Sequence, residues 1–110
     1  MGWEDWTSID AGLYSNSWVD FDNAGYELPA YRKHSDGMVQ LRGGIKSGTM
    51  STVAVTLPTG YRPPNDLIFP TDSNNAFGNF YMQADGDIVP VTGSNTWIML
   101  NFQFDSTGGS

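Results

Sequence analysis

The sequence predicts an all-β protein, a compact antiparallel sandwich or barrel of about seven or eight short strands spaced roughly ten residues apart. Several short runs alternate apolar and polar residues with a period of two. Asp36-Gly37 and Asp85-Gly86 stand between such runs, and an Asp-Gly pair supplies the positive backbone angles of a two-residue hairpin turn. Nothing in the chain carries the spacing of a long amphipathic helix.

Residues 1–29 are the least regular part. They are rich in Asp, Asn, Ser and Gly, yet they hold Trp3, Trp6, Trp18, Phe21 and Tyr26. So much aromatic surface predicts a segment packed on a core or on a neighbouring chain rather than a disordered linker. The β head proper is expected over 30–110, the whole forming a single domain. It opens with a strand over 31–35, the Asp36-Gly37 turn, and a strand in which Val39, Leu41, Gly43 and Ile45 alternate with Met38, Gln40, Arg42 and Gly44. Val53, Val55 and Leu57 alternate with Thr52, Ala54 and Thr56 in the next. Pro58, Gly60, Pro63 and Pro64 then interrupt pairing and form a rigid corner. A strand at Leu67–Phe69 precedes a polar loop at 71–75. Asn79–Ala84 and Asp87–Val91 form the second hairpin, and Thr96–Phe104 closes the domain with Ile98, Leu100, Phe102 and Phe104 on one face.

Composition narrows the function. Twelve acidic residues against five basic give a net charge of −7, which repels phosphate backbones and anionic headgroups, so nucleic-acid binding and membrane insertion are set aside. Only 15% of the residues are charged, which predicts that part of the apolar and Ser/Thr/Asn-rich surface is covered by other subunits. The chain has no cysteine, so stability rests on packing or assembly. No apolar run approaches membrane-spanning length, and no basic-then-apolar leader is present. The Met1-Gly2-Trp3 start and the Ser-Thr-Gly-Gly-Ser end read as the C-terminal piece of a longer chain.

Catalytic motifs are sparse, and the chain reads as non-enzymatic with no cofactor. His34 is the single histidine and has no nucleophile elbow to serve. Without cysteine or further histidine, no metal site of the usual His or Cys spacing can be assembled. Asp20-Phe21-Asp22-Asn23-Ala24-Gly25 begins like a calcium loop, but Ala24 and Tyr31 stand where oxygen ligands are needed, so a turn is expected there. The remaining chemical resource is aromatic, since sugar binders lay Trp or Tyr rings against pyranose faces and hold the hydroxyls with Asp, Asn, Gln and Arg. Asn79, Tyr81 and Gln83 share one face of their strand and are the candidate ligand-binding residues. Trp18 and Trp97 suit the same role, although core or interface packing fits their apolar neighbours better.

Four segments then carry a resemblance: Ala30-Tyr31-Arg32-Lys33, Asp36 to Gly43, Leu57-Pro58-Thr59-Gly60-Tyr61-Arg62-Pro63, and Asp85-Gly86-Asp87-Ile88. In order and spacing they are similar to the head domain of phage tail fibres and receptor-binding proteins, with the Gly60-Tyr61-Arg62-Pro63 corner as the most specific part. The resemblance covers about residues 30–104. It implies a homotrimer of compact β heads at the distal tail of a virion, binding a bacterial cell-surface saccharide or wall polymer. In the lactococcal phage heads that it resembles, a His and an Asp before the glycine hairpin and a Trp after it contact sugar. The corresponding positions here are Asn79, Tyr81, Pro90 and Val91, so fold and role carry over while the ligand is expected to differ. In the corner, Pro63 removes a donor, Gly60 permits close approach, and Arg62 is placed to pin the turn to a carboxylate or a backbone carbonyl. Two other readings stay open: a structural trimeric cap of a fibre or baseplate that binds nothing, and the carbohydrate-binding module of an enzyme.

Overall fold

A computed structural model describes residues 2–110. Among them there is no helix, and eleven strands form three antiparallel sheets. The first sheet joins β1 (Thr7–Ser8), β3 (Ala30–Lys33), β4 (Met38–Arg42) and β11 (Phe102–Asp105) in that order. The second joins β10 (Ile98–Met99), β5 (Gly44–Lys46) and β2 (Val19–Asp20). These two are one bent layer, because β4 runs into β5 and β10 into β11 while β4 pairs with β11 and β5 with β10. The bend lies at Gly43, whose φ of 92° no side chain would tolerate and where a Cβ would stand 2.5 Å from Pro29 N. Asn101 secures the bend from the opposite strand, its Oδ1 accepting Gly43 N–H at 2.9 Å.

The third sheet, β6 (Val55–Thr56), β9 (Asp87–Thr92), β8 (Ala76–Met82) and β7 (Leu67–Ser73), packs as the second layer of a sandwich. Between the layers lie Val39, Leu41 and Ile45 from one side and Val55, Phe80, Met82 and Ile88 from the other. Phe80 and Phe102 meet edge to face across the layers with centroids 4.7 Å apart. The lateral edges are tied as well: Thr71 Oγ1 donates to Met99 O at 2.7 Å, and Thr56 N–H donates to Leu13 O at 3.0 Å.

The all-β class and the antiparallel pairing agree with the sequence, and Ile98, Leu100, Phe102 and Phe104 are all buried as their alternation predicts. The strand count differs. Two short strands arise within residues 1–29, and the expected strands over 38–45 and 96–104 are each split at the Gly43–Asn101 bend. Residues 71–75, expected as a polar loop, instead complete β7 and turn through Asn74 and Asn75, both with positive φ. Asparagine tolerates that conformation through local hydrogen bonding, which makes Asn74-Asn75 the two-residue hairpin of the fold. The Asp-Gly hairpins have three-residue loops instead. Gly37 N–H returns to His34 O and Gly86 N–H to Gln83 O, and only the glycine of each pair has positive φ. Each aspartate accepts the N–H two residues on, Met38 for Asp36 and Asp87 for Asp85, at 3.0 Å in both. In the strand expected over 52–57, Ala54 and Val55 are both fully buried, so the alternation breaks and only Val55–Thr56 pairs.

Residues 1–29 contribute core and edge. Ile9 and Trp18 are buried, and Trp18 Nε1 donates to Thr49 O at 3.2 Å. Trp3 and Trp6 lie on the outer face of the first sheet, where the Arg32 guanidinium sits 4.4 Å and 4.2 Å from their ring centroids and that of Arg42 sits 4.3 Å from Trp6. Each such contact contributes about 0.5–1 kcal/mol at an exposed site, so the tryptophans staple the segment to β3 and β4.

Candidate functional site

A concavity with an aromatic wall is assembled from three separate stretches of chain. Phe21 follows β2 and is fixed by its N–H to Gly44 O at 2.9 Å. A turn closed by Tyr26 N–H on Asn23 O, with Gly25 at a φ of 90°, brings Asn23 and Tyr26 beside it. Asp72 points outward from β7, Asn75 belongs to the adjoining hairpin, and Trp97, Met99 and Asn101 come from β10 and its flanks. Together they line a cleft of about 450 Å³. Its aromatic wall is ordered: Phe21 stacks on Trp97 at 5.7 Å with 26° between the planes, and Tyr26 leans on Phe21 at 5.6 Å.

The half-buried Trp97 is held by polar groups beneath it. Ser73 is buried, with its Oγ 3.0 Å from the carbonyls of both Ser94 and Trp97 while accepting Ser94 N–H at 2.8 Å. Gly78 and Gly93 pack so closely on Ser73 that a Cβ at either would come within 3 Å of it. From the other side, Asn95 Nδ2 donates to Gly48 O at 2.9 Å and Ser47 N–H to Asn95 O at 2.8 Å. The turn carrying Trp97 is thus pinned before any ligand arrives, which lowers the ordering cost of binding. Flat rings flanked by three amides and a carboxylate are what a pyranose needs, one apolar face and a rim of hydroxyls.

Asn79, Tyr81 and Gln83 lie elsewhere. Asn79 and Tyr81 share the outer face of β8, with Gln83 one residue past its end. Asn79 Oδ1 accepts Thr92 N–H at 2.9 Å beside the irregularity that shifts the β8–β9 register, so its acceptor is already used. Tyr81 and Gln83, with Asp66, Leu67 and Ile68, line a smaller depression of about 260 Å³. Tyr81 is flanked across the strands by Ile68 and Val89, and Ile68 is 67% exposed. Trp18 is buried, which removes it from ligand contact, whereas Trp97 lines the cleft. Of the cleft residues only Trp97 was considered from the sequence; Phe21, Asn23, Tyr26, Asp72, Asn75, Met99 and Asn101 were not assigned to a site. The available signal was an aromatic residue beside asparagine in turn-like sequence, Phe21-Asp22-Asn23 and Asn95-Thr96-Trp97.

The corner is an interlocked structural unit. Arg62 Nε donates to Leu57 O at 2.9 Å, and Leu57 N–H donates to Gly86 O, so corner and second hairpin share one residue. Gly60 receives Lys33 Nζ on its carbonyl at 2.8 Å and donates its N–H to Ser110 O. Pro63 is buried. Tyr61 meets Tyr31 edge to face at 5.0 Å and donates its hydroxyl to Glu4 Oε1 at 2.8 Å. Partial burial, reinforced by that bond and by the Glu4 charge, pushes the Tyr61 hydroxyl up to about 12. His34 stacks edge-on against Trp3 at 5.0 Å, and its Nδ1 accepts Asp36 N–H at 3.2 Å. Among the described residues, no group of three or more His, Asp or Glu side chains converges as a metal site.

Compared with family models, curated proteins and solved structures, the chain matches none of them.

Proposed function

We propose that this chain is a receptor-binding head of a phage or phage-like tail fibre, acting as a homotrimer that attaches to a bacterial cell-surface saccharide without performing chemistry on it. The observation that carries the reading is the preassembled Phe21–Tyr26–Trp97 cleft with Asn23, Asp72, Asn75 and Asn101 on its rim. The sequence resemblance over residues 30–104 supplies the fibre context. An outer sheet face bearing Ile68 and Phe77, each about two-thirds exposed, beside Pro70, Tyr81 and Val89 fits burial against neighbouring chains. Three heads per fibre would multiply a weak single-site affinity through effective concentration.

The test combines solution mass by light scattering with pull-down on a panel of bacterial strains, using the native chain and Trp97→Ala. A mass three times the 12.1 kDa chain, with strain-restricted binding that Trp97→Ala abolishes, is the expected result. A trimer that binds no strain would leave a structural cap. A monomer would remove the fibre reading, and intact attachment by Trp97→Ala would remove the cleft.

A further inference from the structure

Arg32 and Arg42 project from the outer face of β3 and β4 into a groove of about 390 Å³, shared with Trp6, Gln40, Asn101 and Gln103. Their guanidinium carbons lie over indoles, Arg32 over Trp3 and Trp6 and Arg42 over Trp6. Arg32 Nε is satisfied by Gln40 Oε1 at 2.9 Å. Arg42 Nε is not: it is the buried side-chain nitrogen that, among the described residues, lacks a hydrogen-bond partner. Its closest acid, the exposed Glu27, stands 3.6 Å away, beyond hydrogen-bond reach. Nε itself is enclosed, so an incoming oxyanion would be met by the terminal amino groups of the guanidinium, whose charge Glu27 offsets only through an exposed ion pair. This groove is not separate from the aromatic cleft, because Asn101 lines both. With its Oδ1 committed to Gly43 N–H, Asn101 offers its amide NH₂ at the junction.

We infer that the ligand is an anionic saccharide of more than one residue, with one sugar ring in the Trp97 cleft and an oxyanion, a uronate carboxylate or a phosphodiester, on the Arg32–Arg42 edge. The inference rests on the glycan-binding reading above and names its ligand class. The net charge of −7 does not forbid it, since acids more than about 8 Å away are largely screened at physiological salt, and the nearby Glu27 is an exposed partner of Arg42 that an oxyanion would have to displace. The guanidinium fork matches a planar or tetrahedral oxyanion through paired hydrogen bonds, whereas a lysine at the same place supplies only a point charge.

Two measurements test it. In the first, glucuronate, inorganic phosphate and chloride at equal ionic strength are titrated into ¹⁵N-labelled protein while the Nε–Hε resonances of Arg32 and Arg42 are followed. Saturable movement with glucuronate alone assigns a uronate, with phosphate alone a phosphodiester, and with both a site for either. Arg42→Lys, which keeps the charge and loses the fork, should weaken the response about tenfold or more. No response beyond that to chloride overturns the inference. In the second, an array of neutral and acidic oligosaccharides is probed with the native chain, Arg42→Gln and Trp97→Ala. Arg42→Gln should lose the acidic preference and keep neutral binding, while Trp97→Ala loses both. Equal loss of both classes in a folded Arg42→Gln refutes the anion edge and leaves the cleft standing, and full retention by Trp97→Ala refutes the cleft itself.

Discussion

Gly48 sits directly against the buried indole of Trp18: a Cβ built on it would come 2.1 Å from two ring carbons. Gly48→Ala therefore asks either the loop over 47–50 or the ring to move by more than an ångström. The ring cannot yield easily, because it is 1% exposed and its Nε1 is bonded to Thr49 O. Overpacking of this kind costs about 1–3 kcal/mol. For a domain of about this size each kcal/mol lowers the melting temperature by roughly 4–8 °C, so a fall on the order of 10 °C is expected. Removing the ring by Trp18→Ala forfeits about 3–5 kcal/mol, a large share of the roughly 5–15 kcal/mol that holds a small domain folded. The decisive assay is a double-mutant cycle by thermal and urea melts with Gly48→Ala, Trp18→Leu and the pair. Leucine leaves room for the added methyl, so the double variant should be more stable than the sum of the single losses predicts. Because Gly48 O also receives Asn95 Nδ2, the single variant should loosen the turn that presents Trp97 and weaken the proposed glycan binding with it. A Gly48→Ala protein melting with the native one would refute the packing of Trp18 against this loop, and with it the inclusion of residues 1–29 in the core.

Two further outcomes are expected. Burial, and behind it Asp20 for Tyr14, Asp10 for Tyr31 and Glu4 for Tyr61, raises all three hydroxyls above the usual tyrosine value of 10.0. The folded state then holds these protons where the unfolded chain releases them, so their stabilisation is complete below pH 10.0 and is lost as pH climbs, for Tyr61 through about 12. Melting temperature should drop over that window as tyrosinate absorbance rises, and in Tyr61→Phe the drop should be shallower; an unchanged slope would refute the raised Tyr61 hydroxyl. Gly86→Ala should cost about 2–4 kcal/mol, since a Cβ there meets Arg62 Nε at 2.5 Å and Leu57 O at 2.6 Å at a φ of 94°. A denaturation midpoint within error of native would contradict the interlock of corner and hairpin.

Strand identity was legible wherever local pattern and burial agree. Val39 and Leu41 in β4, and Ile88 and Pro90 in β9, alternate inward as period two demands. The pattern fails where tertiary contacts override it. At Gly43 the chain bends because Pro29 and Leu28 press against its α-carbon and Asn101 reaches across from the neighbouring strand, a partner 58 residues away that no local window contains. The strands Thr7–Ser8 and Val19–Asp20 are two residues long, too short for any period, and exist because β3 and β5 offer free edges to pair with. At Asn74-Asn75 polarity argued for an irregular loop, whereas what asparagine supplied was two left-handed backbone positions in succession.

The cleft was harder to read for a reason that follows from its construction. Asn79, Tyr81 and Gln83 were visible because strand periodicity alone places them on one side of one element. Phe21, Asp72, Trp97 and Asn101 converge only after β2 pairs with β5, β5 with β10, and Thr71 fastens β7 to Met99. None of those pairings is encoded within a single segment. What the sequence does carry is the imbalance that makes a cleft possible, since aromatic rings beside asparagines at strand ends are too exposed to complete a core and too apolar to be left to water. The same reasoning separates the two tryptophans that looked alike in the sequence. Trp18 faces Gly48, which yields its side-chain volume and lets the indole sink to 1% exposure. Trp97 has Phe21 stacked at its side and buried Ser73 fixing its backbone, so its ring stays half-buried at the mouth of a cleft, where the proposed sugar would meet it.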